Sequence, residues 1–332
     1  MGRSQQGGGH INFMGNTMEK LSIIVPCYNE EECIPLFYGK VTQIIEQLPL
    51  EPEFIFVDDG STDRSLEIMR SLAEKDGRVR YVSFSRNFGK EAAMLAGLKA
   101  STGELVTLMD ADLQDPPELL KEMYKGICEG YDCVGCRRTT RKNEPKVRSA
   151  FAHLFYRIIN KFTDTRIVDG ARDFRMMTRK MTDAILSLPE VDRFSKELFS
   201  WVGFKTKWLE YENVERARGK SKWNFKKLTA YAINGIEGAT CAPLKFNLIF
   251  GIIFLIAAIG LAVADIVLAA TGQAVHTALI VLPVTAFIAA TIFFGMHIMG
   301  EYLRKIFTQV RSRPMYVVAE TEKDDKTRGN MA

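Results

Sequence analysis

The sequence predicts an α/β domain on a mainly parallel sheet, followed by an apolar C-terminal region. Short β-branched runs alternate with helix-length segments, and three of the runs end in acidic residues. Near the C-terminus, 246–270 and 278–299 are almost wholly apolar. Each is long enough for the roughly 20 residues that a bilayer crossing needs.

Leu21-Ser22-Ile23-Ile24-Val25-Pro26 reads as a first strand, ended by proline. Tyr28-Asn29-Glu30 follows, then a helix through Ile44 and Ile45. Glu53 to Val57 is the second strand. It runs into Asp58-Asp59-Gly60-Ser61-Thr62-Asp63, where glycine permits a tight turn and Ser61 to Asp63 can cap the next helix. Arg80 to Phe84 is the third strand and Ala92 to Ala100 a helix behind it. Leu105 to Met109 is the fourth strand, and Asp110-Ala111-Asp112-Leu113-Gln114-Asp115-Pro116-Pro117-Glu118 succeeds it. In open α/β sheets ligands bind beyond the carboxyl ends of the strands, so Glu30, Asp58 with Asp59, and Asp110 with Asp112 are expected to converge there.

Alternation along Asp110, Asp112 and Gln114 lets them aim at one point. Unpaired buried carboxylates are costly, and a hard cation such as Mg2+ or Mn2+ offsets that cost through oxygen ligands. The same residues could instead cap the following helix. Cys128, Cys133 and Cys136 lie close together but lack a second Cys or His pair at zinc spacing, so they read as reduced thiols. A net charge of +4 is too mild to argue for nucleic acid, and no nucleic-acid-binding signature is present. No Gly-x-Gly-x-x-Gly or Walker A loop occurs, which argues against dinucleotide oxidoreductases and P-loop kinases.

The three motifs Pro26-x-Tyr28-Asn29-Glu30, Val57 to Asp63 and Asp110 to Glu118, in this order, resemble inverting family-2 glycosyltransferases. More narrowly, the chain from about Leu21 to Arg313 is similar to the polyprenyl-phosphate glycosyltransferases. The resemblance implies a GT-A-like nucleotide-sugar-binding domain. Pro26, Tyr28, Glu30, Asp58, Asp59, Lys90, Asp110 and Ala111 would bind the nucleotide sugar. Asp110, Asp112 and Gln114 would hold the metal, with Asp112 essential to catalysis.

From Tyr131 the chain turns basic; a solvated loop is one reading, and a phosphate-binding stretch beside a phosphate-transfer site is the better motivated one. Arginine's planar fork suits phosphate. The resemblance assigns Arg137, also counted as catalytic, and Arg148 to the acceptor phosphate. A serine common in the family one turn after the second arginine is replaced by Ala152. Asp173, in Asp169-Gly170-Ala171-Arg172-Asp173-Phe174-Arg175, is the candidate for orienting acceptor or sugar. A salt bridge to Arg172 or Arg175 is the plainer reading, and a general base is needed little, since a phosphate monoester with a second pKa of about 6 is already largely dianionic. Arg216-Ala217-Arg218-Gly219-Lys220-Ser221-Lys222 matches a further family pattern, so Arg216, Ser221 and Lys222 join the acceptor-phosphate set; a basic membrane-facing loop is the alternative.

The expected organisation is a leader at 1–17 with Met18 as native start, a catalytic domain at 18–223, an interfacial amphipathic helix at 224–243, a transmembrane hairpin at 244–303 and a tail at 304–332. Residues after Val318 are charged and expected to be mobile. Lysines and arginines flank the two apolar stretches but are absent from 271–277, which places both ends and the catalytic domain on the cytoplasmic side of the cell membrane. The expected partners are a nucleotide-diphosphate sugar, with UDP-glucose or UDP-N-acetylglucosamine favoured, undecaprenyl or another polyprenyl phosphate, and the bilayer. A homo-oligomer, which the resemblance suggests is a homotetramer, completes the set. Two rivals remain: a processive polysaccharide synthase, whose Gln-x-x-Arg-Trp motif is absent, and a non-catalytic membrane scaffold.

Overall fold

The computed structural model describes residues 18–138, 168–211, 242–271 and 277–324; within the last two helices it leaves out the side chains at 242–248, 261–262, 265, 269, 277–280, 282–283 and 286. The expected leader, and the expected interfacial helix up to 241, lie outside these residues.

The four expected strands are present as β1 (Glu19–Cys27), β2 (Leu50–Asp58), β3 (Val79–Phe84) and β4 (Leu105–Leu108). Helices α1 (Cys33–Ile45), α2 (Ser65–Lys75) and α3 (Lys90–Ala100) separate them. β1 pairs in parallel with β2 and β4, and β2 with β3. These strands are apolar on both faces because helices cover both: Ile23, Val25, Phe54 and Phe56 pack towards α1, and Ile24 meets Met94 and Leu98 of α3.

The rest of the sheet differs from expectation. After α4 (Leu119–Cys128) come β5 (Cys133–Arg138), β6 (Ala171–Thr178), α5 (Arg179–Leu186), α6 (Ser195–Trp201) and β7 (Thr206–Tyr211). The stretch read as a basic loop therefore begins as a strand. β6 runs antiparallel between β4 and β5, and β7 lies parallel to β5. The eight-stranded order is β7-β5-β6-β4-β1-β2-β3-β8.

Two long helices follow, α7 (Ala242–Ala270) and α8 (Thr277–Arg311), then β8 (Val318–Thr321). The Phe254 and Phe287 rings meet edge to face at 4.9 Å between the helices. Among the described residues, no helix is long and apolar enough to cross a membrane, so the expected hairpin is not shown here. The expectation of a mobile end fails at its start. β8 adds antiparallel to β3; Glu320 pairs with Arg70 at 2.6 Å, Glu322 with Arg80 at 2.9 Å, and Tyr316 stacks on Phe84. Ladder hydrogen bonds and opposite charges on the edge strand outweigh the polar composition.

Candidate active site

Register explains how distant residues share one edge. Leu108 of β4 faces Arg175 of antiparallel β6, so two residues further on Asp110 reaches the level of Asp173. β5 ends at this edge too, with Arg138 beside Tyr211 of β7.

The loop after β2 is closed from within. Asp58 accepts from the Ser61 amide (3.0 Å) and the Ser83 hydroxyl (2.8 Å). Asp59 accepts from the amides of Phe88 (2.6 Å) and Gly89 (2.9 Å), which precede α3. Burial raises the Asp59 pKa, and those amides work against the rise. Gly60 sits at φ +67°, where a Cβ would lie 2.4 Å from the Arg86 carbonyl carbon, so only glycine fits. Asn29, at φ 53°, accepts from Thr62 (2.7 Å), and Glu30's amide donates to Ser65 (2.8 Å), which joins the first and second loops. The acids do converge: after burial, Glu30, Asp58 and Asp110 all raise the pKa of the Cys27 thiol. Burial, then Glu30 and with it Asp112, push the Cys33 thiol up to about 12. Pro26 and Tyr28 are half-buried at this edge, and Ala111 is buried.

The loop after β4 is held by side-chain cations. Lys90, the first residue of α3, lies 2.6 Å from Asp110 and 2.7 Å from Asp173. Exposure of the three side chains is 37%, 24% and 20%, so the group is open to a ligand. Burial opposes the charge on Lys90, but Asp110 and Asp173 hold it protonated. Burial likewise works against ionised Asp173, but Lys90 and then Lys196 hold its pKa well below the usual carboxylate range. An acid held that low is a weak base, which favours an orienting role. The plainer reading of Asp173 is corrected: its partner is Lys90, while Arg175 donates to the backbone carbonyls of Asp173 (3.4 Å) and Arg172 (2.8 Å) and stacks on Phe199. Lys90 takes Asp173 because it projects from α3 across the seam between β4 and β6.

Arg172 reaches Asp115 (3.3 Å) and lies 3.9 Å from Asp110. Arg138 donates to Gln114 (3.3 Å) and lies 3.9 Å from Asp115, which also accepts from the Tyr211 hydroxyl. Leu113 at φ 55° turns the chain so that Asp112 accepts from the Gln114 amide (3.1 Å). The structure thus brings Lys90, Asp110, Arg172 and Asp173 together, with Gln114, Asp115 and Arg138 adjoining. It does not bring Arg137 into this cluster, because Arg137 alternates to the other face of β5 and donates to Glu210. Arg148, Arg216, Ser221 and Lys222 lie outside the described residues. Sequence reasoning missed Arg138, Asp115, Tyr211 and Glu91. The Arg137-Arg138 doublet was the one signal available for Arg138.

Asp110, Asp112 and Gln114 offer only oxygen, a donor set that suits Mg2+ or Mn2+. Among the described residues no three or more His, Cys, Asp or Glu form a metal-holding group, so these two carboxylates and one amide would need substrate oxygens to complete a shell.

Residues 22–186 match the model of glycosyl transferase family 2. The protein named putative glycosyltransferase CsbB, of Bacillus subtilis (strain 168), is 39% identical over 307 residues, covering 92% of this chain and 93% of its own. This chain belongs to glycosyl transferase family 2. It is a glycosyltransferase, and the acids at the strand ends are its candidate donor site. The bactoprenol glucosyl transferase of Shigella phage SfX is 36% identical over 302 residues, covering 90% of this chain and 98% of its own. Among solved structures, glucosyl-3-phosphoglycerate synthase from Mycobacterium tuberculosis, determined with Mn2+, UDP-glucose and phosphoglyceric acid, aligns at TM-score 0.43 and 19% identity over 68% of this chain and 84% of its own. That likeness is too distant to bear on function.

Proposed function

We propose that this family-2 enzyme moves a single sugar, with inversion, from a nucleoside-diphosphate donor to a polyprenyl phosphate at the cytoplasmic face of the cell membrane. The observation that carries the reading is similarity to the phage bactoprenol glucosyl transferase over 90% of this chain and 98% of that protein. That relative favours glucose, and UDP-glucose is the leading donor.

An acceptor phosphate oxygen bonds to the anomeric carbon as the carbon–oxygen bond to the donor's diphosphate breaks, and the nucleoside diphosphate leaves with that electron pair. The acceptor arrives as a dianion, so no base is required, in keeping with an ionised Asp173. Asp173 and Asp110 orient the sugar, and Lys90 exchanges its carboxylate partners for donor oxygens. Arg172 and Arg138 add positive charge where the diphosphate develops negative charge, so positioning and electrostatics supply much of the rate. Asp110, Asp112 and Gln114 would hold Mg2+ or Mn2+, which when bound neutralises charge on the departing diphosphate.

The hairpin is part of this proposal. Leu255, Ile256, Ile266, Phe287 and Phe293 each expose more than half their surface on α7 and α8, a density of apolar exposure that calls for lipid or a partner chain. In the full sequence the apolar stretches 246–270 and 278–299 each reach the roughly 20 residues of a bilayer crossing. A homo-oligomer assembled through these helices belongs to the same reading.

Membranes containing the enzyme, supplied in turn with radiolabelled UDP-glucose, UDP-N-acetylglucosamine and GDP-mannose plus undecaprenyl phosphate, test the proposal. One donor should carry label into the organic phase, and EDTA should stop it. No transfer from any donor would refute the acceptor assignment, and full activity in saturating EDTA would refute the metal.

A further inference from the structure

Residues 187–194, between α5 and α6, are gripped by α8. Gln309 donates to the Pro189 carbonyl (2.9 Å) and accepts from the Val191 amide (3.0 Å). Lys305 pairs with Asp192 at 3.2 Å. These two residues follow directly on the apolar part of the helix. Within the segment, Arg193 spans back to the carbonyls of Leu188 and Ile185, both at 3.1 Å, so its end is tied to its beginning.

The next residue reaches the catalytic edge. The Ser195 amide donates to both oxygens of Glu91 (3.2 and 3.3 Å), and its hydroxyl donates to Glu91 as well. Glu91 follows Lys90 on α3, and Lys90 holds Asp110 and Asp173. Lys196, next after Ser195, is one of the cations that keep Asp173 ionised. Polar contacts linked by short stretches of backbone, 193–195 and Lys90–Glu91, therefore join α8 to the Lys90–Asp173 pair. A carboxylate is a costly choice for gripping Ser195: it is packed near Asp173 on β6, with Lys90 on its own helix and Arg193 on the segment as the facing cations. A neutral amide could still accept from Ser195 without setting a second negative charge near Asp173.

We propose that segment 187–195 is a strap through which α8 sets the position of the Lys90–Asp173 pair, with Glu91 as a positioning residue. Seating of α8 in the membrane would then be sensed at the sugar-transfer site. The membrane half of this inference rests on the proposed function, whereas the strap itself does not.

The test uses the full-length protein in bilayers and four variants: K305A/Q309A, E91A, E91Q and the combination of K305A/Q309A with E91A. Two readouts apply, kcat and KM with UDP-glucose, and amide hydrogen exchange of 194–197. K305A/Q309A should lower kcat about tenfold, a typical size for coupling through a packed network, with KM within about twofold and faster exchange at Ser195. E91A should do the same, and the combined variant should be no worse than E91A alone, because both cut one path. E91Q, which can still accept from Ser195, should recover kcat to within about threefold of wild type. Unchanged exchange at Ser195 in K305A/Q309A, effects that multiply in the combination, or an E91Q as impaired as E91A would each overturn the strap. Exchange needs no acceptor, so failure of the lipid assignment, seen as wild-type inactivity, is distinguishable from failure of the strap.

Discussion

β2 and β4, which flank β1 in the parallel half, each run into two aspartates, and Asp58 and Asp59 are held by other means than Asp110. Asp58 and Asp59 accept from backbone amides and a serine hydroxyl. Asp110 is paired with the Lys90 side chain and faces Arg172, while Asp112 accepts from the Gln114 amide. Backbone donors cannot leave without unfolding the loop, while a lysine can exchange one anion for another. On the proposed mechanism Asp58 and Asp59 are architecture that shapes the donor pocket, and Asp110 with Lys90 is the exchangeable part beside the chemistry.

The largest effect expected from this contrast is on turnover. D112A should abolish transfer, a loss of about a thousandfold or more, or roughly 4 kcal/mol in the barrier, while thermal unfolding stays cooperative. An active D112A would erase the distinction between the loops. K90M should cost about a hundredfold in kcat, because Asp110 and Asp173 are then left to repel each other and the donor. D59A should act the other way round. Leaving the Phe88 and Gly89 amides without their acceptor should lower stability in urea by about 3 kcal/mol. Turnover per folded molecule should fall far less than in D112A.

The smallest effect concerns pH and two further glutamates. Burial works against the charge of Glu53, but hydrogen bonds from Ser22 and Arg80 outweigh it and bring its pKa from 4.5 down to about 2. Its contribution is present above about 4.5 and lost as pH falls towards 2. Burial pushes Glu91 from 4.5 up to about 7, with the Ser195 bonds opposing the rise. The native state then holds an extra proton between these values, so this contribution is complete below about 4.5 and lost as pH rises through about 7, by about 1–3 kcal/mol. Urea titrations across pH should show E91Q flattening the fall in stability between about pH 4.5 and 7 alone; an unchanged fall there would remove Glu91 from the account.

Legibility followed the range of the interactions. β1 to β4 were readable because runs such as Leu21 to Val25 and Glu53 to Val57 are local, and a strand followed by a helix already marks the ligand edge. Strands β5 and β6 were not, since Cys133-Val134-Gly135-Cys136-Arg137-Arg138 has neither clean alternation nor a β-branched run. Their strand state comes from antiparallel pairing with each other and with β4. The same pairing gave Asp173 its partner and placed Arg138, instead of Arg137, among the acids. Glu91 meets Ser195 across 104 residues and Tyr211 meets Asp115 across 96, distances that local pattern does not span. β8 was hidden for a related reason: Val318–Thr321 is four residues long with none of them buried, and only the β3 edge makes it a strand.

Release of UDP from UDP-glucose by the purified enzyme in vesicles, measured with and without undecaprenyl phosphate, tests the central claim most directly. The account predicts release at least about a hundredfold faster with the lipid phosphate present, and none above background in D112A. Equal release with and without the lipid, or a wild-type rate in D112A, would contradict it.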